Sequence, residues 1–396
     1  MVKENTMRQT EIGLLPEDWE VNSLKEICKD MIQGINTAID IPEYSFEGVP
    51  ILKANNVIDG QIDLNNCEFI SEKSFRKYST RFHISKNDFL LSNIGARLGS
   101  GSIYLTDAVS VYAWNVMRLS PKKDIVNPHY FSQILNSSYF NKLMINNQSG
   151  SGMGFVPKNV LQTFQIPLPP LPEQEVIAKA LSDADAWIES LEQLIAKKCL
   201  IKQGAMQELL SPAADWEVKR LGEVCEIIMG QSPLSQFYNN SGKGLPLVQG
   251  NADIENRRTI IRNYTSQITK RGKIGDIIMS VRAPVGEIAT ATFDCCLGRG
   301  VCAFRTENKF IYHLLIYKET DWAQFSTGST FDSVNSNQIK DLEVNIPKSL
   351  TEQTRIATIL SDMDAELEAL EVQLGKARQV KQGMMQELLT GRVRLI

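Results

Sequence analysis

Two stretches of the chain space their apolar residues in alternating steps of four and three. In the first these are Ile177, Leu181, Ala184, Ile188, Leu191 and Ile195; in the second, Ile356, Leu360, Met363, Leu367, Leu370 and Leu374. Such spacing is the a/d seam of a coiled coil and predicts two long helices, over residues 173–210 and 352–389. The seams run on through Lys198, Lys202, Ala205 and Leu209, and through Ala377, Lys381, Met384 and Leu388. Acidic residues crowd the first two thirds of each helix and basic residues the last third. An antiparallel pair would set acid against base at both ends, so the helices are expected to pair with each other in that sense.

The two segments align without a gap and are identical at about half their positions, more than chance amphipathic helices share. Matches include Glu173/Glu352, Gln174/Gln353, Asp185/Asp364 and Lys202/Lys381, and both close on Lys-Gln-Gly-x-Met-Gln-Glu-Leu-Leu. The chain is therefore a duplicated unit.

Ahead of each helix the period changes from 3.6 to 2. Short runs broken by Gly, Asn and Pro (49–53, 69–71, 88–92, 102–105 and 116–119) predict strands of a small, mostly β body. A turn over 12–21 with a buried Trp19 leads into it. Residues 127–143 predict a helix with Pro128 in its first turn. The run 166–172, IPLPPLP, predicts a stiff linker that cannot be helical. Residues 213–347 replay this plan: Trp216-Glu217-Val218 answers Trp19-Glu20-Val21, and Asp276 to Ser280 answers Asp88 to Ser92. Thr351 is the expected N-cap of the second helix and Gly391 its stop. The fold class is thus α+β, two β-rich bodies each followed by a long helix. Scaffold positions repeat while the residues between them differ, which suggests two recognition modules for different targets.

A chain of 396 residues holds two or three domains with real cores. No apolar run approaches membrane-spanning length, and the polar N-terminus is no signal peptide. Seven scattered cysteines without a CxxC pair suit a reducing cytoplasm and argue against a zinc site. No phosphate-binding loop or glycine-rich nucleotide signature is present, so no cofactor is expected. Asn127-Pro128-His129-Tyr130 is better explained as a helix start than as a methyltransferase motif. The three histidines form no ligand cluster, and neither catalytic nor metal residues are assigned.

The net charge of −4 does not advertise nucleic acid, but basic residues gather at turns of both bodies. The DNA-contact candidates are Lys53, Asn55, Arg76, Lys77, Arg81 and Arg97 in the first body. In the second they are Gln231, Asn251, Arg257, Arg258, Arg282 and Arg299. Arginine can take guanine bidentately, Asn and Gln can pair with adenine, and Lys holds phosphate.

The order variable–helix–variable–helix resembles the specificity subunits of type I restriction–modification systems. The residues carrying the resemblance are Glu173-Gln174 and Glu352-Gln353, the two Lys-Gln-Gly endings, Ile12-Gly13 through Val21, and Met229 to Pro233. The resemblance implies target-recognition domains at 1–165 and 213–345, with linker and helix at 166–212 and 346–396. Each domain would read half of a bipartite site in double-stranded DNA. The helices would set the spacing and dock two methyltransferase subunits, with motor–nuclease subunits joining for cleavage. ATP, magnesium and S-adenosylmethionine would belong to those partners. Two other readings stay open on the residues alone: a self-contained methyltransferase or nuclease, and a coiled-coil scaffold without a DNA role.

Overall fold

The computed structural model of the protein describes residues 6–58, 60–150, 154–282, 284–326 and 334–395. It divides into two compact units, residues 1–192 with 373–396, and residues 193–372.

The body of the first unit contains β1 (Glu20–Ser23), β2 (Cys28–Gln33), β3 (Tyr44–Ser45), β4 (Val49–Leu52), β5 (Glu68–Ile70) and α1 (Glu72–Phe82). It continues through β6 (Phe89–Ser92), β7 (Gly101–Ile103), β8 (Val111–Tyr112), β9 (Val116–Pro121), α2 (Pro128–Leu135), α3 (Ser138–Asn146) and β10 (Gln165–Leu168). One sheet runs β7-β6-β9-β2, a second β8-β4-β5-β3, and β10 pairs with β1. Within the second sheet β8 lies parallel to β4, with Val111 against Ile51 and Tyr112 against Leu52.

Three sequence expectations change here. The segment 127–143 is two helices rather than one: α2 ends at Leu135 with Asn136 as its C-cap, and Ser137 caps α3 by accepting from the Phe140 amide. The linker at 166–172 is half strand, because Pro167 sits in the two-stranded β10–β1 ladder opposite Val21, where one missing donor is tolerated. Helix α1 was not foreseen. Ser71 caps it, and Ser74, Tyr78 and Phe82 are buried one helical turn apart.

Leaving the first body, α4 spans Leu171–Leu209 without a break. The second body follows with β11 (Trp216–Arg220), β12 (Glu226–Met229), β13 (Leu245–Val248), β14 (Ile277–Ser280), β15 (Ile288–Thr290), β16 (Cys295–Leu297) and β17 (Val301–Arg305). After these come α5 (Lys309–Tyr317), α6 (Glu319–Ser326), β18 (Glu343–Pro347) and α7 (Leu350–Leu388). The plan of the first body is repeated: β12-β17-β14-β15 are neighbours in one sheet, β13 runs parallel to β16, and β18 pairs with β11. Cys295 and Cys296 point to opposite faces of β16, yet both are buried, so that strand is covered on both sides.

Helices α4 and α7 each start in the unit of their own body and end in the other. In the first unit, Ile177, Ala178 and Leu181 of α4 share a core with Leu388, the last residue of α7, and Leu389 just beyond it. In the second, Met206 and Leu210 share a core with Ile356, Ala357 and Leu360. Each fully buried Ile or Leu contributes about 1.5–3 kcal/mol. The start of one helix thus lies beside the end of the other in both units, which is the antiparallel sense expected. The seam shows in the burial: Ile188, Ile195, Leu367, Leu370 and Leu374 are half-buried and Leu191 buried, between exposed neighbours.

Charges complete the pairing. Asp185 receives Lys381 in the first unit, and Lys202 meets Asp364 in the second, the same repeat positions paired twice with the partners exchanged. Lys198 also reaches Glu366 at 2.7 Å, and Arg378 reaches Glu192 at 2.6 Å. Half-exposed pairs of this kind contribute ~0.5–1 kcal/mol each.

The Glu-Gln dipeptides have a clear task. Gln174 is buried; its Oε1 accepts from the Asn127 amide at 2.8 Å, and its Nε2 donates to the Pro169 carbonyl at 2.8 Å. In the other copy Gln353 Nε2 donates to the Pro347 carbonyl at 2.7 Å, and its Oε1 accepts from Asn308 Nδ2. Each glutamine pins its helix start to its own body. Helix α7 begins one residue before Thr351, and Ser349 Oγ accepts from the Glu352 amide, so Ser349 takes the cap expected of Thr351.

Candidate nucleic-acid interface

In each body a tight turn links the sheet that holds the parallel strand pair to the other sheet. In the first, Ala113-Trp114-Asn115 joins β8 to β9. Ala113 N donates to Leu52 O (2.8 Å), Val116 N to Ala113 O (2.9 Å), Gly34 N to Val116 O (3.0 Å) and Ile35 N to Tyr112 O (2.8 Å). In the second, Gly298-Arg299-Gly300 joins β16 to β17. Gly298 N donates to Val248 O (2.7 Å), Val301 N to Gly298 O (3.2 Å), Gly230 N to Val301 O (3.0 Å) and Gln231 N to Leu297 O (2.8 Å). The four bonds correspond one to one. They place Trp114 and Arg299 at the same position of a repeated frame, both exposed.

Glycine is required at the crossing. A Cβ on Gly34 would lie 2.2 Å from the Ala113 carbonyl oxygen, and one on Gly230 would lie 2.0 Å from that of Gly298. The close approach brings the segments after β2 and β12 against these turns. In the first body Gln33 and Asn93 clasp each other through paired amide bonds of 2.9 and 3.0 Å, and Gln33 Nε2 also donates to the Trp114 carbonyl. In the second, Ser232 Oγ accepts from the Arg299 amide at 3.1 Å, and the Thr269 hydroxyl donates to the Gln231 carbonyl.

Around this frame the structure collects part of the residue set expected from sequence. Gln231 and Arg299 are in it. Asn251 follows β13, and Asn55 follows β4, the strands that carry the Val248 and Leu52 carbonyls. Arg282 follows β14, where the Val281 amide donates to the Gly300 carbonyl at 2.9 Å. Arg97 tops a turn after β6 in which Gly95 and Gly99 both take positive φ, 92° and 89°. Arg97, Arg282 and Arg299 are exposed, and none pairs with a carboxylate among the described residues.

Other members of the set lie elsewhere or are already engaged. Lys53 pairs with Glu68 at 2.6 Å and stands 5.2 Å from the Tyr44 ring centroid. Arg76, Lys77 and Arg81 ride the exposed side of α1, with Lys77 over Tyr78 and Arg81 over Phe82. Arg257 and Arg258 sit in a hairpin turn beside a cleft against α6 and α7, away from the expectation of free contacts. Arg257 grips Glu319 with both terminal nitrogens, and Arg258 reaches Glu368 at 2.7 Å. Burial opposes the Arg257 charge, but the Glu319 carboxylate outweighs it and raises the guanidinium's pKa. A carboxylate already bound to a guanidinium competes with a base edge for that group.

Trp114, Gln33, Asn93 and Ser232 were not among the contacts expected from sequence. Their signal is position relative to the frame, and only the hydrogen bonds reveal that. Among the described residues no group of His, Cys, Asp or Glu is arranged to hold a metal ion, and no helix is long and apolar enough to cross a membrane.

Comparison with known proteins gives the same architecture. The family of type I restriction modification DNA specificity domains matches twice, over residues 16–197 and 213–375. The chain belongs to that family. It is 29% identical to a putative type I restriction enzyme MjaX specificity subunit of Methanocaldococcus jannaschii, over 99% of this chain and 98% of that one. The MjaVIII specificity subunit of the same organism is 24% identical over 99% and 97%. Among solved structures, a type I restriction–modification S subunit from M. genitalium superposes with a TM-score of 0.63 at 16% identity, covering 93% of this chain and 96% of that one. A structure of a type I system reported for its assembly and conformational transition gives 0.60 at 22% identity, covering 96% and 99%.

Proposed function

We propose that this chain is the DNA-specificity subunit of a type I restriction–modification complex and reads a bipartite, asymmetric site, one half per body. The observation that carries this reading is the repeated turn frame with unlike exposed residues, Trp114 in one body and Arg299 in the other. A duplicated scaffold with different reading residues is what two half-sites of different sequence require. Arg97, Arg282 and Arg299 are the leading contacts, with Asn55, Gln231 and Asn251 beside them. Arg76, Lys77 and Arg81 on α1 are candidates for phosphate.

The subunit itself performs no chemistry in this reading. Methyltransferase subunits, two of them, dock along α4 and α7, and motor–nuclease subunits join them in the cytoplasm. ATP, magnesium and S-adenosylmethionine serve those partners. Methylome sequencing of a host that expresses the chain with its methyltransferase tests the proposal. A split motif with an unread gap is expected; methylation without sequence preference, or a continuous short motif, contradicts it.

A further inference from the structure

We propose that Trp114 is a specificity-determining residue of the first body and reads the C5-methyl group of a thymine, where its counterpart Arg299 reads guanine. The inference rests on the DNA reading above and assigns chemistry within it.

Trp114 is 45% exposed although it is a large aromatic residue. It belongs to neither apolar cluster of its unit, so the core does not explain it. Its backbone is nonetheless held firmly. The flanking Ala113 and Val116 amides are both bonded, its carbonyl accepts from Gln33, and Gln33 is itself clasped by the buried Asn93. The rigid turn holds the indole at the surface, where its apolar face is available to a group outside the chain.

The repeated frame says where that contact lies. The same four hydrogen bonds that fix Trp114 fix Arg299, an exposed cation beside Gln231. A guanidinium fork matches the O6 and N7 acceptors of guanine. An indole offers one donor, no acceptor and a broad apolar face. In the major groove the thymine methyl is the apolar group that face can recognise. The two bodies therefore read different base pairs with the same backbone device.

The test uses the full-length chain with the methyltransferase subunits of its own system. Half-sites are first defined by selection from random duplexes. Each thymine is then replaced in turn by deoxyuridine, which removes only the methyl group and needs no protein variant. For the wild-type chain, one thymine in one half-site should lower affinity about fourfold when its methyl is removed, the worth of one buried methyl group. Trp114→Ala should abolish that loss and leave the other half-site unchanged. Arg299→Ala should lose about tenfold or more of its preference at one guanine in the other half-site. Identical deoxyuridine profiles for wild type and Trp114→Ala overturn this inference alone, as does a first half-site without an A·T pair. A chain that selects no sequence at all overturns the specificity reading, and this inference with it.

Discussion

The guanidinium of Arg394 lies 2.6 Å from the carboxylate of Glu173. One residue belongs to the last few of the chain and the other to the first turn of α4. Arg394 also holds Asp18 at 2.8 Å, and Glu173 Oε2 accepts from the buried Trp19 indole at 3.1 Å. The end of the chain is thereby tied to the start of the first body. Arg394→Ala would leave Glu173, whose side chain is 5% exposed, without its cation. Breaking a pair of this kind costs ~3 kcal/mol or more. The expected result is a lower denaturation midpoint for the first unit, followed by Trp19 fluorescence. The double variant Glu173→Gln with Arg394→Met should recover much of the loss. Equal stability of Arg394→Ala and wild type would refute the tie.

Such ties explain what could and could not be read in advance. The seam of α4 and α7 was legible because a coiled coil writes its packing into a local period, from Ile177 to Ile195 and from Ile356 to Leu374. Strand β10 was hidden because Pro167 argues against a strand unless it is known to lie in a two-stranded ladder. Likewise Arg257 and Arg258 looked like free cations. Their carboxylates, Glu319 and Glu368, stand 62 and 110 residues away in sequence, and no local pattern pairs them. Trp114 carries no sequence signal of its own; its place comes from the hydrogen bonds of Ala113 to Leu52 and of Val116 to Gly34, both distant in sequence.

The exchanged pairs Lys381–Asp185 and Lys202–Asp364 allow a direct test of the antiparallel helices. Reversing one charge, Lys381→Asp, sets two acids together in the first unit. Restoring opposite signs with Asp185→Lys should recover the stability lost. A double-mutant cycle on neutral variants should give a coupling of about 1 kcal/mol that shrinks with added salt. Zero coupling at low salt would show that these residues do not meet.

His313 predicts a pH dependence for the second unit. The imidazole is buried, with Nε2 3.0 Å from Ser361 Oγ and Nδ1 3.8 Å from Asp364. Burial pushes its pKa down from 6.5 to about 4, against the pull of Asp364 and with the help of Lys202 and Lys309. The folded state thus holds the neutral ring, while the unfolded chain takes a proton near pH 6.5. Its contribution is complete above that pH and is lost as pH falls toward 4, by on the order of 2 kcal/mol. Urea midpoints at pH 7 and pH 5 should differ less in His313→Gln than in wild type. The same difference in both would exclude His313 as its source.

Arg282 follows β14 with no carboxylate partner among the described residues, so its substitution separates two kinds of contact. If it reads a base, Arg282→Ala loses ~1–3 kcal/mol on the preferred sequence and relaxes one position. If it holds phosphate, the loss is uniform over sequences and the salt slope falls by about one. Titrations at several salt concentrations distinguish the two. Unchanged affinity with an unchanged slope would return Arg282 to the solvated surface.

The most direct test of one half-site per body is an exchange. The hydrogen-bonded pairing of β10 with β1 makes Leu168 the natural end of the first body. Residues 12–168 would be replaced by the matching segment of another family member, with α4, the second body and α7 untouched. Methylome sequencing of a host carrying the chimera and the methyltransferase reads the outcome. The account predicts one half-site changed to that of the donor and the other half-site retained. A motif altered in both halves, or the original motif kept whole by a chimera that still methylates, would contradict it.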